Sequence, residues 1–569
     1  MRALWKQWTL LAIIVGVAVS CRFDHGSGEV VVNGEFPVAY VKRPLAAVGD
    51  PIDSVSFAAG GDLYLRDVAS PDATPVNVTG RLTRGVGDVA DPEVAYDGKR
   101  IVFAMRCGKA SDPRCANDAT WNIWEYDVIT DRLSRVITDD HLANEGDDVD
   151  PAYLPDGRIV FSSNRQQASR DRLGYAYLDA FRREKVSVLH VMNRGGSQIE
   201  QISFNTGHDR NPTVLQDGRI LFARWDQVGE RSQINIYSIR PDGTGLGVVY
   251  GPHSRGESFL DPRELPSGEL ISTVLPLQGT WGGGALMTLD VAHYADEESP
   301  APGVTPVDGG QVPATLHPVP LTEAVSEFGR YTAPYPLWDG SGRALVAYSP
   351  FRADSVEDPV TGEAVPAEQP PIYGIYELKL ASRSLKPLVL PEDGFVFVDP
   401  VAVAPRPAPA RLPPKTPADT SLFTNARDTG ILKIRSVYDT DRLGRMGNNV
   451  LTTSERAVMG IPQIPPTSPD IRAFVADIAR LKDPARTTAA QRAARFLRVV
   501  EFIPSPPGLS PSVIGETDYG MRRLVGYAPV EPDGSVAVRV PADAPLAVTV
   551  LDAQGRAFES HTNWLQVRP

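Results

Sequence analysis

Apolar residues in this sequence come in bursts of roughly four to eight positions, alternating with polar residues or clustered, and each burst stops at Gly, Pro or Asp-Gly. Such bursts predict strands. They also recur as a phrase. Asp91-Pro92-Glu93-Val94-Ala95-Tyr96-Asp97-Gly98, followed by Arg100-Ile101-Val102-Phe103, returns as Asp150-Pro151 through Asp156-Gly157-Arg158-Ile159-Val160-Phe161. It returns again as Asn211-Pro212 through Asp217-Gly218-Arg219-Ile220-Leu221-Phe222, and as Asp261-Pro262 through Ser267-Gly268-Glu269-Leu270-Ile271. A looser fifth copy is read at Tyr335-Pro336-Leu337-Trp338-Asp339 with Gly342-Arg343-Ala344-Leu345-Val346. Each Asp-Gly is expected to supply the positive backbone dihedrals of a tight hairpin. A further strand phrase follows most copies, at 122–127, 188–192, 235–239 and 374–378, and residues 62–66 fill that slot in an earlier unit.

Repetition of this kind predicts four-stranded blades. Five copies, with a first blade over 36–66 completed by Phe395-Val396-Phe397-Val398 from the far end, predict a six-bladed β-propeller over 36–403, closed so that no sheet edge is left open. Residues 404–417, APRPAPARLPPKTP, predict an extended, semi-rigid linker. Residues 418–569 then form a second unit. Ile471, Phe474, Val475, Ile478 and Leu481 share a helical face within 469–495, and strands return over 498–569. There, 525–530, the Asp533-Gly534 turn and 536–541 read as a hairpin, with 547–552 as another strand. The fold class is mainly β: a propeller followed by a small antiparallel β-sandwich with a short helical insertion.

Composition agrees with a folded chain, at 42% hydrophobic and 22% charged residues, and 49 Gly with 51 Pro suit many turns. The net charge of −13 repels phosphate backbones and argues against a nucleic-acid binder. Residues 1–20 read as an export signal, with Arg2 and Lys6 before an apolar run. Ala18-Val19-Ser20-Cys21 resembles the lipobox of bacterial lipoproteins. Cys21 is then the lipidated first residue, 21–35 a tether, and the location the periplasm or cell surface, anchored to the outer membrane. Ordinary cleavage leaving a free Cys21 thiol is the alternative. Cys107 and Cys115, in RCGKASDPRC, are expected to form a disulfide.

Candidate chemistry is sparse. Asp91, Asp150, Asn211 and Asp261 recur before a proline, and Arg106, Arg165 and Arg224 follow the second strand of three blades; either set would ring a central channel or pair between neighbouring blades. Asp147, Asp148 and Asp150 close the densest acidic run, which begins at Asp139. A Ca²⁺ site there lacks the EF-hand pattern, and a solvated loop is the simpler reading. The eight histidines show no ligand spacing, no G-x-S-x-G elbow occurs, and Gly282-Gly283-Gly284 reads as a turn rather than a phosphate loop.

The blade phrase resembles that of the periplasmic Tol-type propellers. Pro37-Val38-Ala39-Tyr40-Val41-Lys42-Arg43-Pro44, the Asp-Pro to Asp-Gly blades, Gly526-Tyr527-Ala528-Pro529-Val530-Glu531-Pro532-Asp533-Gly534-Ser535 and Trp564-Leu565-Gln566-Val567-Arg568-Pro569 resemble the hydrazine synthase alpha-subunit family. That resemblance implies a Cys-x-x-Cys-His haem attachment soon after the last phrase. No such motif occurs in this sequence, so the family's redox chemistry is not carried over, and no cofactor is expected on this chain. The expected function is an exported, lipid-anchored binding or docking module without its own catalytic site, its partner a protein such as a c-type cytochrome or another redox protein. The alternatives are a truncated or non-catalytic relative of a multihaem oxidoreductase subunit and a glycan- or peptide-binding propeller of the Tol type.

Overall fold

The structure, a computed structural model, describes residues 36–415, 428–438, 483–504 and 520–569 apart from short internal stretches such as 109–114, 180–183 and 298–308. Residues 1–35, where the export signal, the tether and the lipidated Cys21 are expected, lie outside the described residues. Six four-stranded antiparallel sheets are present among them. Their innermost strands touch one another in a closed cycle: Asp88–Val94, Asp148–Tyr153, Asp209–Val214, Ser258–Glu264, Arg330–Pro336 and Phe395–Ala402. The last of these pairs with Val38–Pro44, so the first blade is built from both ends of the propeller and the ring is zipped by backbone hydrogen bonds.

The core lies between blades. Strands such as Leu270–Leu275 are buried at every position because each face packs on a neighbouring sheet. Phe103, Trp124, Phe161 and Phe222 are fully buried there. The Asp-Gly turns at the foot of the repeat follow one chemistry. The glycine alone takes a positive φ, as at Gly98, Gly157 and Gly218. The preceding aspartate instead accepts the N–H two residues on, at 3.1 Å for Asp97 and Lys99 and 2.9 Å for Asp217 and Arg219. The expectation of positive dihedrals at both turn residues is thus corrected: a short side-chain acceptor does what a second left-handed residue would do.

The fifth copy, in the sixth blade, is also shifted from its expected frame. Its bulge falls at Ala333, before Pro334, rather than before Pro336. The turn that follows is at Gly340, which restores the proline-to-glycine spacing of the other copies.

In the second unit Thr429–Ile434 pairs with Val536–Pro541, while Phe496–Phe502 lies between Arg522–Pro529 and Leu546–Leu551. The two sheets pack face to face over Leu497, Val499, Val536, Val540 and Leu546. The hairpin expected across Asp533-Gly534 is corrected here. The turn closes through Gly534 N–H to Glu531 O at 2.8 Å, yet its two arms join different sheets. It is a corner of the sandwich. Most of the expected helical stretch lies outside the described residues, and residues 483–489 form turns.

Residues 404–415 are extended, but they do not span open solvent. Arg406 N–H bonds Tyr96 O at 3.0 Å, Ala410 N–H bonds Gln216 O at 2.9 Å, and Lys415 N–H bonds Asp242 at 2.7 Å. The proline-rich segment is strapped across one end of the propeller by backbone donors that its prolines leave available.

Candidate functional site

The innermost strands carry charge in layers along the propeller axis. Nearest one end, Asp88, Asp148 and Asp209 are fully buried and each is bound by an arginine: Arg43 at 2.7 Å, Arg165 at 2.6 Å and Arg224 at 2.8 Å. Fully paired, these groups hold the blades and leave nothing for a ligand. Arg106 lies over the Phe57 ring at 4.7 Å. Asp147 accepts from Trp121 N–H at 3.0 Å and from Asn164 at 2.9 Å. The six residues Asp147, Asp148, Asp150, Arg106, Arg165 and Arg224 are therefore not one site, and only Asp150 reaches the axis. Within the acidic run, Asp139 caps the short helix Asp140–Ala143. Among the described residues no group of three or more His, Cys, Asp or Glu converges as metal ligands would.

The next layer is a waist. Asp91, Asp150, Asn211, Asp261, Ala333 and Asp399 occupy equivalent places, one per blade, each with φ between 47 and 56° and each followed by proline. Each stands at a register shift of its strand. Asp and Asn tolerate the left-handed conformation, and a proline without an N–H is accommodated where the ladder is broken. The bulge turns these residues to the axis. Asp399 accepts the N–H of Asp91 at 3.5 Å and Asp91 that of Asp150 at 3.2 Å, while Arg210 bonds Asp150. Burial, reinforced by the neighbouring carboxylates Asp150 and Asp399, holds the Asp91 carboxyl well above its usual range. Burial likewise pushes Asp261 up to about 7, with Asp399 adding to the rise.

Above the waist opens a chamber of about 210 Å³, with Asp91, Asn211, Asp261 and Asp399 as its floor. Among the described residues, two enclosed polar atoms of residues that line it have no hydrogen-bond partner: His208 Nε2 and the Tyr373 hydroxyl. They are 4% and 1% exposed. The Nδ1 atom of His208 accepts the Ser187 N–H at 3.0 Å. Burial lowers its pKa to about 4, so the ring is neutral at pH 7 and its proton sits on Nε2. His208 therefore offers a donor, not a base. Its ring stacks on Trp225, which also lines the chamber.

Tyr373 enters past the glycine run. A Cβ on Gly283 would lie 2.0 Å from the tyrosine hydroxyl, so glycine is required for the approach. At the rim, Asp50 accepts the N–H groups of Gly279 and Trp281 at 3.0 Å each, which sets Trp281 beside the opening. Beyond the waist, at the far end, Glu93 binds Arg263 at 2.6 Å and also Arg406 from the strap. Arg406 lies 4.5 Å over the Tyr96 ring and closes that end.

Sequence reasoning placed Asp91, Asp150, Asn211 and Asp261 in their repeat but missed Asp399, although Asp399-Pro400 is a further copy of the phrase. It also missed His208, Trp281 and Tyr373, which no motif marks. Cys107 and Cys115 are bonded to each other, with Cα atoms 5.6 Å apart. Neither thiol remains to attach a haem.

The fold and site define a channelled β-propeller with a small β-sandwich docked to it. Residues 477–569 match the hydrazine synthase alpha subunit middle domain family. Among solved structures, Kuenenia stuttgartiensis hydrazine synthase superposes with a TM-score of 0.65 at 16% identity, over 95% of this chain and 68% of that one. TolB from Acinetobacter baumannii matches 64% of this chain and 66% of its own at 13% identity, with a TM-score of 0.37. No curated protein sequence matches. Residues 477–569 are thus similar to that family's middle domain, and the chain shares the fold of the Kuenenia protein.

Proposed function

We propose that this chain is an exported binding module, tethered through a lipidated Cys21 to the outer membrane, whose working part is the propeller chamber. The observation that carries this reading is the chamber itself, about 210 Å³, lined by Trp225, Trp281 and the axial residues Asp91, Asn211, Asp261 and Asp399. The lining offers carboxyls and aromatic residues but no nucleophile activated by a base, which fits binding better than turnover.

The reading is tested by titrating the full chain with three probe classes, a neutral polyol, acetate and methylammonium, while following tryptophan fluorescence. A saturable response to at least one class, lost in Trp281→Ala, supports it; no response to any class refutes it.

A second reading rests on residues 477–569, whose family is named for a subunit and so for an assembly. There the chain docks a redox protein such as a c-type cytochrome. An absorption spectrum of the complex isolated from its own cells decides this: a Soret band of stoichiometric strength supports it, and a protein-only spectrum counts against it.

A further inference from the structure

The charges that line the chamber do not cancel. Its two arginines are already spent: Arg43 is bonded by Asp88 at 2.7 Å and Arg210 is paired with Asp150, and neither of those aspartates lines the chamber. The carboxyl groups of Asp50, Asp53, Asp91, Asp261 and Asp399 do line it. Asp50 is occupied at the rim by the backbone N–H groups of Gly279, Thr280 and Trp281. On the floor, Asp91, Asp261 and Asp399 form no ion pair with any arginine or lysine among the described residues.

These three groups keep accessible surface where their strands are otherwise largely enclosed. Asp91 is the one position of Asp88–Val94 that is not buried, and Asp261 and Asp399 are part-exposed on the corresponding strands. Because those strands are innermost, that surface opens on the axis. Burial, with neighbouring carboxylates adding to it, raises all three carboxyl pKa values, Asp261 to about 7. The floor thus retains protons that a nearby positive charge would release. Much of the remaining lining is apolar, with Leu260, Val396 and Val398 beside Trp225 and Trp281. Trp281 is part-exposed, and among the described residues no arginine or lysine lies over its ring.

The lining discriminates between ligand classes. An anion would be repelled by the floor, and a neutral molecule would leave its charge uncompensated. A bare metal ion finds no group of three or more His, Cys, Asp or Glu converging on one point among the described residues. An ammonium group on a carbon skeleton needs no such convergence. Its three N–H donors reach towards separate carboxyls, while the skeleton lies on the apolar wall and the charge is attracted to an indole face. The volume, about 210 Å³, is below the roughly 300–1,000 Å³ of sites that take drug-sized molecules, which limits the skeleton to one ring or a short chain.

We propose that the chamber binds a small primary organic ammonium ion, its nitrogen on the carboxyls of Asp91, Asp261 and Asp399 and its carbon skeleton against Trp281. This inference rests on the binding-module reading and specifies its ligand class.

The test is calorimetric titration of the full chain with n-butylammonium and benzylammonium, beside their uncharged counterparts n-butanol and benzyl alcohol, and butyrate, glycerol and calcium chloride. The expected result is saturable binding of at least one ammonium ion, at least tenfold tighter than its alcohol, and no binding of butyrate, glycerol or calcium. Affinity should fall at least tenfold in Asp261→Asn and in Asp399→Asn. Asparagine suits both places, since Asn211 holds the same left-handed conformation in its own blade. Circular dichroism confirms that both variants remain folded. An alcohol that binds as tightly as its ammonium ion shows that charge is not read and overturns the inference, as does ammonium binding that survives both substitutions. Binding of an alcohol, butyrate, glycerol or calcium without either ammonium ion overturns the ligand class while leaving the binding-module reading in place. Silence from all seven probes overturns both.

Discussion

The indole Nε1–H of Trp564, in the second domain, donates to the carbonyl oxygen of Gln227 in the fourth blade at 3.2 Å. Trp564 is 1% exposed and packs with Phe502, Tyr177 and Val188, so the sandwich is seated on the third and fourth blades. The propeller itself thus covers Trp564. Trp564→Ala is expected to lose about 3–5 kcal/mol through the cavity it opens. Denaturant unfolding should change from one transition to two, with earlier proteolysis at the domain junction.

The same seam is sensitive to pH. Asp226 accepts from Asn235, Tyr237 and, across the interface, Asn563 at 2.7, 2.8 and 2.9 Å. Burial raises its pKa from 3.8 to about 6. The folded state thus holds this proton more tightly than the unfolded state does. Its contribution to stability is greatest below about pH 4 and is lost as pH rises through 6. The difference corresponds to on the order of 3 kcal/mol. Asp226→Asn should flatten that slope, and unfolding curves of both proteins at pH 4, 5, 6 and 7 measure it.

Arg406 fastens the proline-rich strap by its bond to Glu93. Arg406→Ala leaves Glu93 with Arg263 and is expected to cost about 1.5–3 kcal/mol, the range for a hydrogen bond to a charged group. Hydrogen exchange should rise at Arg406 and Ala410 while the blade strands stay protected. Lysine should restore little, since it lacks the planar group that lies over Tyr96.

The Cys107–Cys115 bridge closes a short loop beside the second blade, and both residues are buried. Replacing both with Ser is expected to destabilise the chain by about 2–3 kcal/mol. Thermal unfolding of the double variant under non-reducing conditions, against the parent with and without reductant, checks the value. Equal midpoints for all three would remove the bridge as a stabilising element.

Much of the architecture was legible in the residues. Asp97-Gly98 and its counterparts announce turns because a turn is decided by a few adjacent residues, and the period of two along each strand is equally local. The join between Phe395–Ala402 and Val38–Pro44 was readable for a different reason: a closed ring leaves an incomplete first blade only one partner. The site was far less legible. Asp91 and Asp150 could be placed in the repeat, yet whether they faced the axis or an arginine depended on a bulge that the sequence marks only by a proline. Ala333 shows how easily that mark is misread, since two prolines lie within reach of the frame.

What the sequence by itself determined is therefore everything that neighbours along the chain can decide: the strands, the turns, the repeat and the acidic body. Tertiary structure decided which polar groups are spent and which are free. Arg165 and Arg224 disappear into pairs with Asp148 and Asp209, whereas His208, Trp281, Tyr373 and Asp399 come from four different blades to one chamber. Their convergence exists only once the ring has closed, because no local pattern records the distance between residues that separate blades carry to a common axis.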